Sequence, residues 1–239
     1  MKILSIGNSF SNDAQRYIHR ISLANGKPIK TVNLYIGGCS LRQHYFNILE
    51  NARAYDFQFN GDATGLKVSI KDALMSDRWD YVTLQQASVY SVNYNEYAPY
   101  LSIITECVKK YAPTAKLVVH QTWAYDEEVL LQRKNAESVE DMYNKLTAAY
   151  DKMAEEIGAE FIIPSGKAVA SVIKNGIAYP YRDGFHMSIV EGRLLIGLLW
   201  YCKFTGMDVN EVCIPTLDGE ISDENIAIIR KTVAEVLAI

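Results

Sequence analysis

Five short apolar runs recur along the chain, and each is followed by small or polar residues and then by a stretch with helical spacing. The runs span residues 2–6, 29–36, 81–84, 116–120 and 160–163. Apolar runs of this length, bounded by turn residues, are typical of strands that are buried on both faces. Strands that alternate with helices favour a parallel sheet with helices on both sides. We therefore predict an α/β fold, a three-layer α/β/α sandwich of flavodoxin-like type around a central five-stranded parallel sheet.

The intervening segments are predicted to be helices from their periodicity and their end signals. They span residues 14–24, 41–52, 70–76, 138–157, 166–174, 188–204 and 223–237, and a further helix ends at residue 111. Residues 55–69 break this alternation, because two short runs flank an Asn60-Gly61-Asp62 turn signal that favours a hairpin. The sequence leaves open whether this hairpin is a lid. No linker or repeat marks a second domain, so we expect one domain over residues 1–239.

Charge and hydropathy limit the partners that the chain can have. Lys and Arg number 24 against 28 Asp and Glu, a formal charge of -4, and no basic run is long enough to follow a phosphate backbone. Nucleic acid is therefore not an expected partner. No apolar stretch approaches the ~20 residues of a membrane span, so a membrane is not expected either. The N-terminus enters a strand directly, without the apolar segment of a signal peptide, and we expect a cytoplasmic protein unless a leader was removed.

The cysteines give no sign of a disulfide framework or a zinc site. Cys39, Cys107, Cys202 and Cys213 are widely scattered and form no C-x-x-C pair. We expect reduced thiols, most of them buried.

The first run ends in a turn that places Ser9 between a strand and a helix. The carboxyl ends of parallel strands form the ligand crevice of an open sheet. A hydroxyl at that point can act as a nucleophile, with the N–H groups of a helix start beside it. Asn12 and Asp13 are expected to cap a helix that opens at residue 14. On this stretch alone, the simpler interpretation is that Ser9 and Ser11 only cap that helix.

A second polar segment, near the other end of the chain, favours the interpretation of Ser9 as a nucleophile over that as a helix cap. Asp183 and His186 are three residues apart in a glycine-containing loop directly before a predicted helix. This spacing lets the carboxylate reach the near nitrogen of the imidazole, which leaves the other nitrogen free to take a proton from a serine. Taken singly, Asp183 is a turn residue and His186 a helix cap or a pocket wall. Together with Ser9 they form a candidate catalytic triad.

These segments carry a family resemblance that spans nearly the whole chain. Gly7-Asn8-Ser9-Phe10-Ser11 resembles the Gly-Asp-Ser-Leu nucleophile block of the SGNH (GDSL-type) hydrolases, and Asp183-Gly184-Phe185-His186 matches their Asp-x-x-His block. Gly38 falls where that family keeps its oxyanion-hole glycine. The chain is similar to an uncharacterised branch near the carbohydrate O-acetylesterases. The resemblance implies the same three-layer sandwich and an acyl-enzyme mechanism that needs no cofactor and no metal.

Two departures from the family pattern affect the expected site. Asn8 stands where Asp is usual, and because this residue is not the nucleophile we expect little loss. The third block, usually Gly-x-Asn-Asp, is replaced by Leu84-Gln85-Gln86-Ala87. The resemblance implies an oxyanion hole formed by the N–H groups of Ser9 and Gly38 and by the Gln86 amide, with Gln85 as the fallback. Such a donor is worth about 3 kcal/mol in the transition state.

Other residues are weaker candidates for the substrate pocket. Asn8, Gly37, Gln85, His120, Trp123 and Tyr125 follow predicted strands and are expected near the crevice. The aromatic members of this group are equally well explained by packing. His19 and His44 are expected to be surface or local hydrogen-bonding groups. No H-x-x-x-H or similar spacing indicates a metal site.

The sequence therefore favours a serine esterase that hydrolyses a small O-acyl ester, most readily an O-acetyl group on a carbohydrate. Its partner would be a small-molecule or glycan ester. One alternative is a catalytically silent domain that binds a glycan or small metabolite through its aromatic residues. A second is a thioesterase or lysophospholipase, which uses the same triad with a longer apolar groove. The natural substrate, the acyl chain length and the oligomeric state stay open.

Overall fold

A computed structural model describes residues 1–238 and places seven strands in one sheet, in the order β4-β3-β2-β1-β5-β6-β7. The strands are β1 (Lys2–Ile6), β2 (Lys30–Tyr35), β3 (Tyr55–Phe59), β4 (Asp62–Val68), β5 (Tyr81–Leu84), β6 (Lys116–Gln121) and β7 (Ile162–Pro164). β1, β2, β5, β6 and β7 pair in parallel, which confirms the five predicted strands. The 55–69 segment forms the hairpin β3-β4, which adds two antiparallel strands beyond β2.

Helices cover both faces of this sheet. They are α1 (Ser9–Gln15), α2 (Ile18–Ala24), α3 (Leu41–Leu49), α4 (Ile70–Met75), α5 (Tyr100–Tyr111), α6 (Glu127–Arg133), α7 (Val139–Ile157), α8 (Ser165–Asn175), α9 (Glu191–Thr205) and α10 (Asp223–Leu237), with 3₁₀ turns at Tyr94–Glu96 and Val209–Glu211. One layer holds α1, α2, α8, α9 and α10, and the other holds α3, α4, α5 and α7. The predicted three-layer α/β/α sandwich is confirmed.

The core lies between the sheet and these two helical layers. β1 is buried from Ile3 to Ile6, as expected for a central strand covered on both faces. α9 packs against α1, α2, α8 and α10 as well as β7, and its run from Leu194 to Cys202 is entirely buried. A helix that is apolar all round belongs in such a central position. α9 therefore anchors the layer that also carries α1.

The connections that follow β1 and β2 run over opposite faces of the sheet. The chain leaves β1 through α1 and α2 on one face, whereas β2 continues into α3 on the other face. This reversal opens a crevice at the carboxyl end of β1, which is the usual ligand position in doubly wound sheets. The residues that follow β1 and β2 meet there.

Several predicted boundaries differ from the structure. The first helix begins at Ser9 rather than at residue 14, because Asn8 caps it, and the chain breaks into two helices around Tyr17. The helix after β2 ends at Leu49 rather than at residue 52. The helix predicted over 188–204 starts at Glu191, since residues 187–190 complete the loop before it. Short helix α6 was not predicted.

Candidate active site

Ser9 is the first residue of α1, and only Gly7 and Asn8 separate it from the end of β1. The Asn8 side chain caps the helix by accepting a hydrogen bond from the Phe10 N–H at 3.0 Å. Ser11 completes the cap, since its hydroxyl accepts from the Asn8 N–H at 2.9 Å. A Cβ at Gly7 would lie 2.0 Å from the Ser11 hydroxyl oxygen, so only glycine fits before this cap. The turn thus presents Ser9 at the crevice, with the N–H groups of Asn8 and Phe10 on either side of it already satisfied.

The structure brings Ser9, His186 and Asp183 together across 177 residues of chain. The Ser9 Oγ lies 2.9 Å from the His186 Nε2, and the His186 Nδ1 lies 2.7 Å from the Asp183 Oδ2. The other Asp183 oxygen, Oδ1, accepts from the His186 backbone N–H at 2.8 Å. Ser9 and His186 are half-buried, while the carboxylate faces solvent more openly. A hydroxyl, an imidazole and a carboxylate therefore stand in one continuous line of hydrogen bonds.

The Asp183 carboxylate determines which imidazole nitrogen carries the proton. Burial alone would raise the pKa of Asp183, but hydrogen bonds from the ring and backbone of His186 outweigh it and hold that pKa below its ordinary value. An ionised carboxylate can only accept a hydrogen bond, so the His186 Nδ1 is the donor. The Nε2 is then free to accept from the Ser9 hydroxyl. This is the arrangement of a general base in contact with a nucleophile.

A buried carboxylate, Asp13, fixes the two halves of this site to each other. It lies one helical turn after Ser9 on α1 and is fully buried. Its Oδ1 accepts from Arg182 and from Arg193, each at 2.9 Å. Its Oδ2 accepts from the Met187 N–H at 3.0 Å. Because Arg182 and Met187 immediately flank residues 183–186, Asp13 ties both ends of that loop to the helix that carries Ser9.

The backbone N–H groups of Ser9 and Gly38 donate no hydrogen bond within residues 1–238. Both residues line the same cavity. Gly38 has a φ of +64°, and a Cβ there would meet nothing within 4 Å. Glycine is therefore favoured at this position by its backbone conformation and not by lack of space. Two free N–H groups beside a serine hydroxyl are suited to hold a developing oxyanion.

The Gln86 amide does not point towards Ser9, which contradicts its predicted place in the oxyanion hole. Its Nε2 donates to the Glu96 carbonyl at 2.9 Å. Its Oε1 accepts from the Leu41 and Ala87 N–H groups, at 3.0 and 2.8 Å. These three contacts turn the side chain into a different cavity, next to α3. The physical reason is that the buried Leu41 N–H at the start of α3 needs an acceptor, and Gln86 supplies it.

Gln85, the fallback donor, is engaged in a buried chain of hydrogen bonds that links the ends of four strands. Its Oε1 lies 2.7 Å from the His120 Nδ1, and its Nε2 donates to the Asn8 Oδ1 at 2.7 Å. Asn8 in turn donates from its Nδ2 to the Cys39 carbonyl at 3.1 Å. All four residues are at most 3% exposed. We call this chain, formed by His120, Gln85, Asn8 and Cys39, the amide relay.

The cavity around Ser9 has a volume of about 370 Å³. It is lined by Asn8, Ser9, Phe10, Tyr35, Gly37, Gly38, Ala87, Ser88, Val89, Arg133, Phe185 and His186. Of the predicted pocket residues, Asn8 and Gly37 line it, whereas Gln85, His120, Trp123 and Tyr125 lie behind its wall. They support that wall, since Trp123 stacks on Phe10 with ring centroids 4.4 Å apart and Tyr125 donates to the Ser88 hydroxyl at 2.8 Å. They are therefore not expected to touch a ligand.

Comparison with known proteins assigns the family. Residues 2–232 match the DUF4886 family, which is described as a domain of unknown function. The chain belongs to the DUF4886 family. A crystal structure of a DUF4886 family protein from Bacteroides uniformis has 31% sequence identity and a TM-score of 0.90, covering 100% of this chain and 95% of that one. A comparison with the curated proteins finds no match.

More distant structures share this fold, and one of them is described as an SGNH hydrolase. A proposed SGNH hydrolase from Slackia heliotrinireducens is 24% identical with a TM-score of 0.59, covering 84% of this chain and 97% of that one. A family 3 carbohydrate esterase from Clostridium thermocellum is 16% identical with a TM-score of 0.50, covering 84% and 93%. At these identities the likeness concerns the fold alone. The predicted resemblance of this DUF4886 member to the SGNH hydrolases is confirmed at that level.

Two further histidines lie outside the site of this DUF4886 member. His44 is fully buried, with its Nδ1 2.9 Å from the Tyr55 hydroxyl and 3.4 Å from the Cys39 sulfur. It is therefore a local hydrogen-bonding group and not a surface residue. The His19 Nδ1 lies 2.8 Å from the Ile29 carbonyl.

Within residues 1–238 no three His, Cys, Asp or Glu side chains are grouped as metal ligands would be. No helix in this range is long and apolar enough to cross a membrane.

Several residues at this candidate site were not predicted from the sequence. Asp13, Arg182 and Arg193 fix the triad loop, and Phe185 and Arg133 form one wall of the cavity. Arg182 directly precedes Asp183, and Asp13 lies on the same helical face as Ser9, which are the only local signals for them. Their pairing joins positions about 170 residues apart, and one sequence contains no information about that contact.

Proposed function

We propose that this protein is a serine esterase that hydrolyses small O-acyl esters, with Ser9 as nucleophile, His186 as base and then acid, and Asp183 as the residue that orients His186. The observation that carries this proposal is the unbroken line of contacts from the Ser9 Oγ through His186 to Asp183, at 2.9 and 2.7 Å, opening into a cavity. This line of contacts lies at the carboxyl end of β1, where doubly wound sheets bind their ligands.

The chemistry follows from the positions of the hydrogens. The His186 Nε2 takes the proton of the Ser9 hydroxyl while the oxygen bonds to the ester carbonyl carbon. The carbonyl oxygen becomes negative next to the N–H groups of Ser9 and Gly38. The C–O bond to the alcohol then breaks, and that alcohol oxygen takes the proton from the Nε2. Water attacks the acyl-serine in the same way, with His186 as base, and releases the carboxylic acid and the free hydroxyl of Ser9.

The oxyanion hole in this proposal has two backbone donors and no side-chain donor. Removal of one oxyanion donor costs about 2.7–4 kcal/mol in a well-studied protease. We therefore expect a slower esterase than one with three donors, unless a substrate hydroxyl or a movement of Gln85 supplies the third. The Gln85 and Gln86 amides are each held by two or more hydrogen bonds, so such a movement would be costly.

The size and lining of the cavity support a short acyl group on a polar alcohol. A volume of about 370 Å³ is near the lower end for ligand pockets. A second cavity of about 400 Å³ is formed by neighbouring residues of the segments that follow β2 and β5. It is lined by Ser40, Gln43, Gln86 and Glu96 among others. Polar groups of this kind are suited to sugar hydroxyls. We infer that an O-acetyl group on a carbohydrate fits better than the long chain of a thioester or a lysophospholipid.

The test is the hydrolysis of p-nitrophenyl esters of increasing acyl length. Each methylene that an apolar groove accommodates contributes about 0.8 kcal/mol. A short pocket therefore predicts that kcat/KM is highest for acetate and falls for butyrate and longer esters. Ser9→Ala should lower kcat for the acetate by at least about a thousandfold. Full activity in Ser9→Ala would reject the proposal, and a preference for long chains would favour the thioesterase alternative.

A silent, ligand-binding domain is the second candidate, and the position of Gln86 is the observation that favours it. The side chain that should complete the oxyanion hole instead binds Glu96 and the start of α3. Under this alternative, a glycan binds with the same affinity to the wild type and to Ser9→Ala, and no ester is turned over. Isothermal titration with acetylated and unacetylated sugars separates the two candidates.

A further inference from the structure

Arg133 is held on the aromatic wall of the cavity beside His186. It is the last residue of α6 and lines the same cavity as Ser9. Its guanidinium carbon lies 5.1 Å from the centroid of the Phe185 ring and 5.8 Å from that of the Tyr125 ring. The Phe185 ring lies 4.0 Å from the His186 ring, centroid to centroid. Arg133 is exposed, and these cation–π contacts favour a position of its charge near the imidazole.

The guanidinium of Arg133 has no carboxylate partner among residues 1–238. The arginines that hold the site together, Arg182 and Arg193, both bind Asp13. Arg133 makes neither an ion pair within 4 Å nor a side-chain hydrogen bond with any described residue, although it stacks on two rings. The guanidinium lies over the two rings, and none of its N–H donors is bonded to a described residue. Those donors form a fork that fits a carboxylate with two parallel hydrogen bonds.

The lining of the cavity contains no acidic side chain that would compete for this fork. Its members are apolar, aromatic, glycine, serine and asparagine residues together with Arg133 and His186. Arg133 is therefore the only permanently charged side chain among the lining residues that the structure describes. The chain as a whole carries a formal charge of -4. A single unpaired cation in the pocket of an acidic protein indicates a negatively charged ligand.

The position of Arg133 also indicates which part of the ester carries the charge. In the proposed mechanism the leaving alcohol takes its proton from the His186 Nε2, so the alcohol part lies on the imidazole side of the cavity. Arg133 lies on that same side, since it stacks on Phe185, the neighbour of His186. Gly38, the proposed donor to the carbonyl oxygen, lines the same cavity from a different loop, the one that follows β2.

We propose that Arg133 binds a carboxylate on the alcohol part of the substrate, so that the enzyme selects acidic esters, for example an O-acetylated sugar acid, over neutral ones. This inference rests on the proposed esterase function and names its substrate class. Arg133 acts in it as a specificity-determining residue, not as part of the proton relay.

The experiment compares two acetates that differ chiefly in charge. Para-acetoxybenzoate carries a carboxylate, and para-acetoxybenzamide has nearly the same shape without the charge; the meta isomers form a second pair. The readout is the ratio of kcat/KM for the benzoate to kcat/KM for the benzamide, measured within each variant so that any general loss of activity cancels. The variants are Arg133→Gln, Arg133→Glu and the control Lys134→Gln. Lys134 is the next residue, an exposed cation outside the cavity lining.

The wild type is expected to favour the benzoate by about tenfold in at least one isomer pair, the size of a charge-assisted hydrogen bond. Added salt should reduce this preference. Arg133→Gln should bring the ratio close to one and Arg133→Glu should invert it, whereas Lys134→Gln should keep it. A wild-type ratio of one with both acetates hydrolysed would overturn the inference and leave the esterase function standing. An unchanged ratio in Arg133→Gln would overturn it as well. If neither acetate is hydrolysed, the proposed function fails and this inference with it.

Discussion

Asn8 is the residue where this chain departs from the family nucleophile block, and its contacts explain the departure. Its oxygen accepts from Gln85 and from the Phe10 N–H, and its nitrogen donates to the Cys39 carbonyl. An aspartate could accept the first two hydrogen bonds, but it has no proton for the third. Asparagine is therefore needed here because the amide relay ends on a carbonyl. Since Cys39 follows Gly38, the relay also fixes the loop that presents the Gly38 N–H.

Asn8→Asp is predicted to impair the proposed esterase, although aspartate is usual at this position in the SGNH hydrolases that the sequence resembles. A carboxylate oxygen would replace the Nδ2 that lies 3.1 Å from the Cys39 carbonyl, in a position that is 1% exposed. An unsatisfied buried acceptor of this kind costs about 2 kcal/mol. We expect the free energy of unfolding to fall by that amount and kcat for an aryl acetate to fall about tenfold as the Gly38 loop shifts. Urea denaturation and steady-state kinetics measure the two effects.

Asn12→Asp is the matched control, because it adds the same charge in the same turn of α1, at a half-buried position outside the relay. It should change stability by less than about 0.5 kcal/mol. Equal losses in Asn8→Asp and Asn12→Asp would mean that added charge near the helix start, and not the relay, is responsible.

At the scale of elements, the site is the junction of helix α1 with the loop that precedes α9. Asp13 makes that junction, since it accepts from residues on both sides of the triad loop and from Arg193 on α9. Two guanidinium groups compensate a carboxylate that is fully buried. Removal of one partner from such a network costs far more than the network contributes in total, because the remaining charges stay buried. Asp13 is therefore a positioning residue for the triad.

Asp13→Asn is predicted to separate positioning from substrate binding. The amide keeps the shape but loses the charge that faces Arg182 and Arg193, so we expect a loss of about 3 kcal/mol in the free energy of unfolding. In the protein that remains folded, kcat should fall by about a hundredfold with little change in KM, because the His186 ring is misplaced relative to Ser9. Thermal unfolding and initial-rate kinetics measure both quantities.

Asp218→Asn tests the same kind of contact away from the triad. Asp218 binds Arg16 and Arg20 through its carboxylate, but its side chain is 22% exposed and it does not contact the triad loop. A bidentate but solvent-accessible pair of this type contributes about 1 kcal/mol at most. Its loss should leave kcat unchanged. If Asp13→Asn also leaves kcat unchanged, the ion pairs of Asp13 with Arg182 and Arg193 have only a structural role.

The strand β1 and the start of α1 show which features a sequence pattern predicts and which it does not. The strand at residues 2–6 and the turn at Ser9 follow from the apolar run and the glycine, and the structure places both as predicted. The start of α1 was misplaced, because Asn8 and Ser11 form the capping box while Asp13 is drawn into a tertiary ion pair. Capping signals are local, but the choice between Asn8 and Asn12 as cap depends on contacts that a single sequence does not encode.

On the scale of the whole molecule, the three layers and the five parallel strands could be predicted, because their signal is periodicity and order. The pairing of Ser9 with the Asp183–His186 loop could be predicted from the turn after β1, the Asp-x-x-His spacing and the family resemblance, although that loop follows α8 and not a strand. The orientation of Gln86 could not, because a buried N–H at Leu41 competes for its oxygen. The sequence likewise does not indicate that Trp123 and Tyr125 lie behind the wall of the cavity.

The buried histidines predict an acid dependence of stability for the whole chain. Burial lowers the pKa of His44 and of His120 from 6.5 to about 3. The unfolded chain binds a proton at each ring near pH 6.5, so below that pH the unfolded state holds more protons than the folded state. The free energy of unfolding should therefore fall with decreasing pH between these two values, by up to about 1.4 kcal/mol per pH unit for each ring.

Urea denaturation at about pH 7, about pH 6 and about pH 5 measures this slope. His120→Gln should reduce the slope by about 1 kcal/mol per pH unit, since glutamine keeps a donor for Gln85 but does not titrate in this range. His44→Gln should have an effect of similar size. A slope that neither substitution changes would mean that other groups govern acid unfolding.

The central claim, that Ser9 is an activated nucleophile, is tested most directly by covalent labelling with a fluorophosphonate and mass spectrometry of the intact chain and of the peptide that spans residues 3–16. The account predicts a single adduct per chain on Ser9, no adduct in Ser9→Ala, a much slower reaction in His186→Gln, and unchanged stoichiometry in Ser88→Ala, which removes the other serine hydroxyl among the lining residues. Labelling of Ser9→Ala to the same extent as the wild type, or a wild type that takes up no label at all, would contradict it.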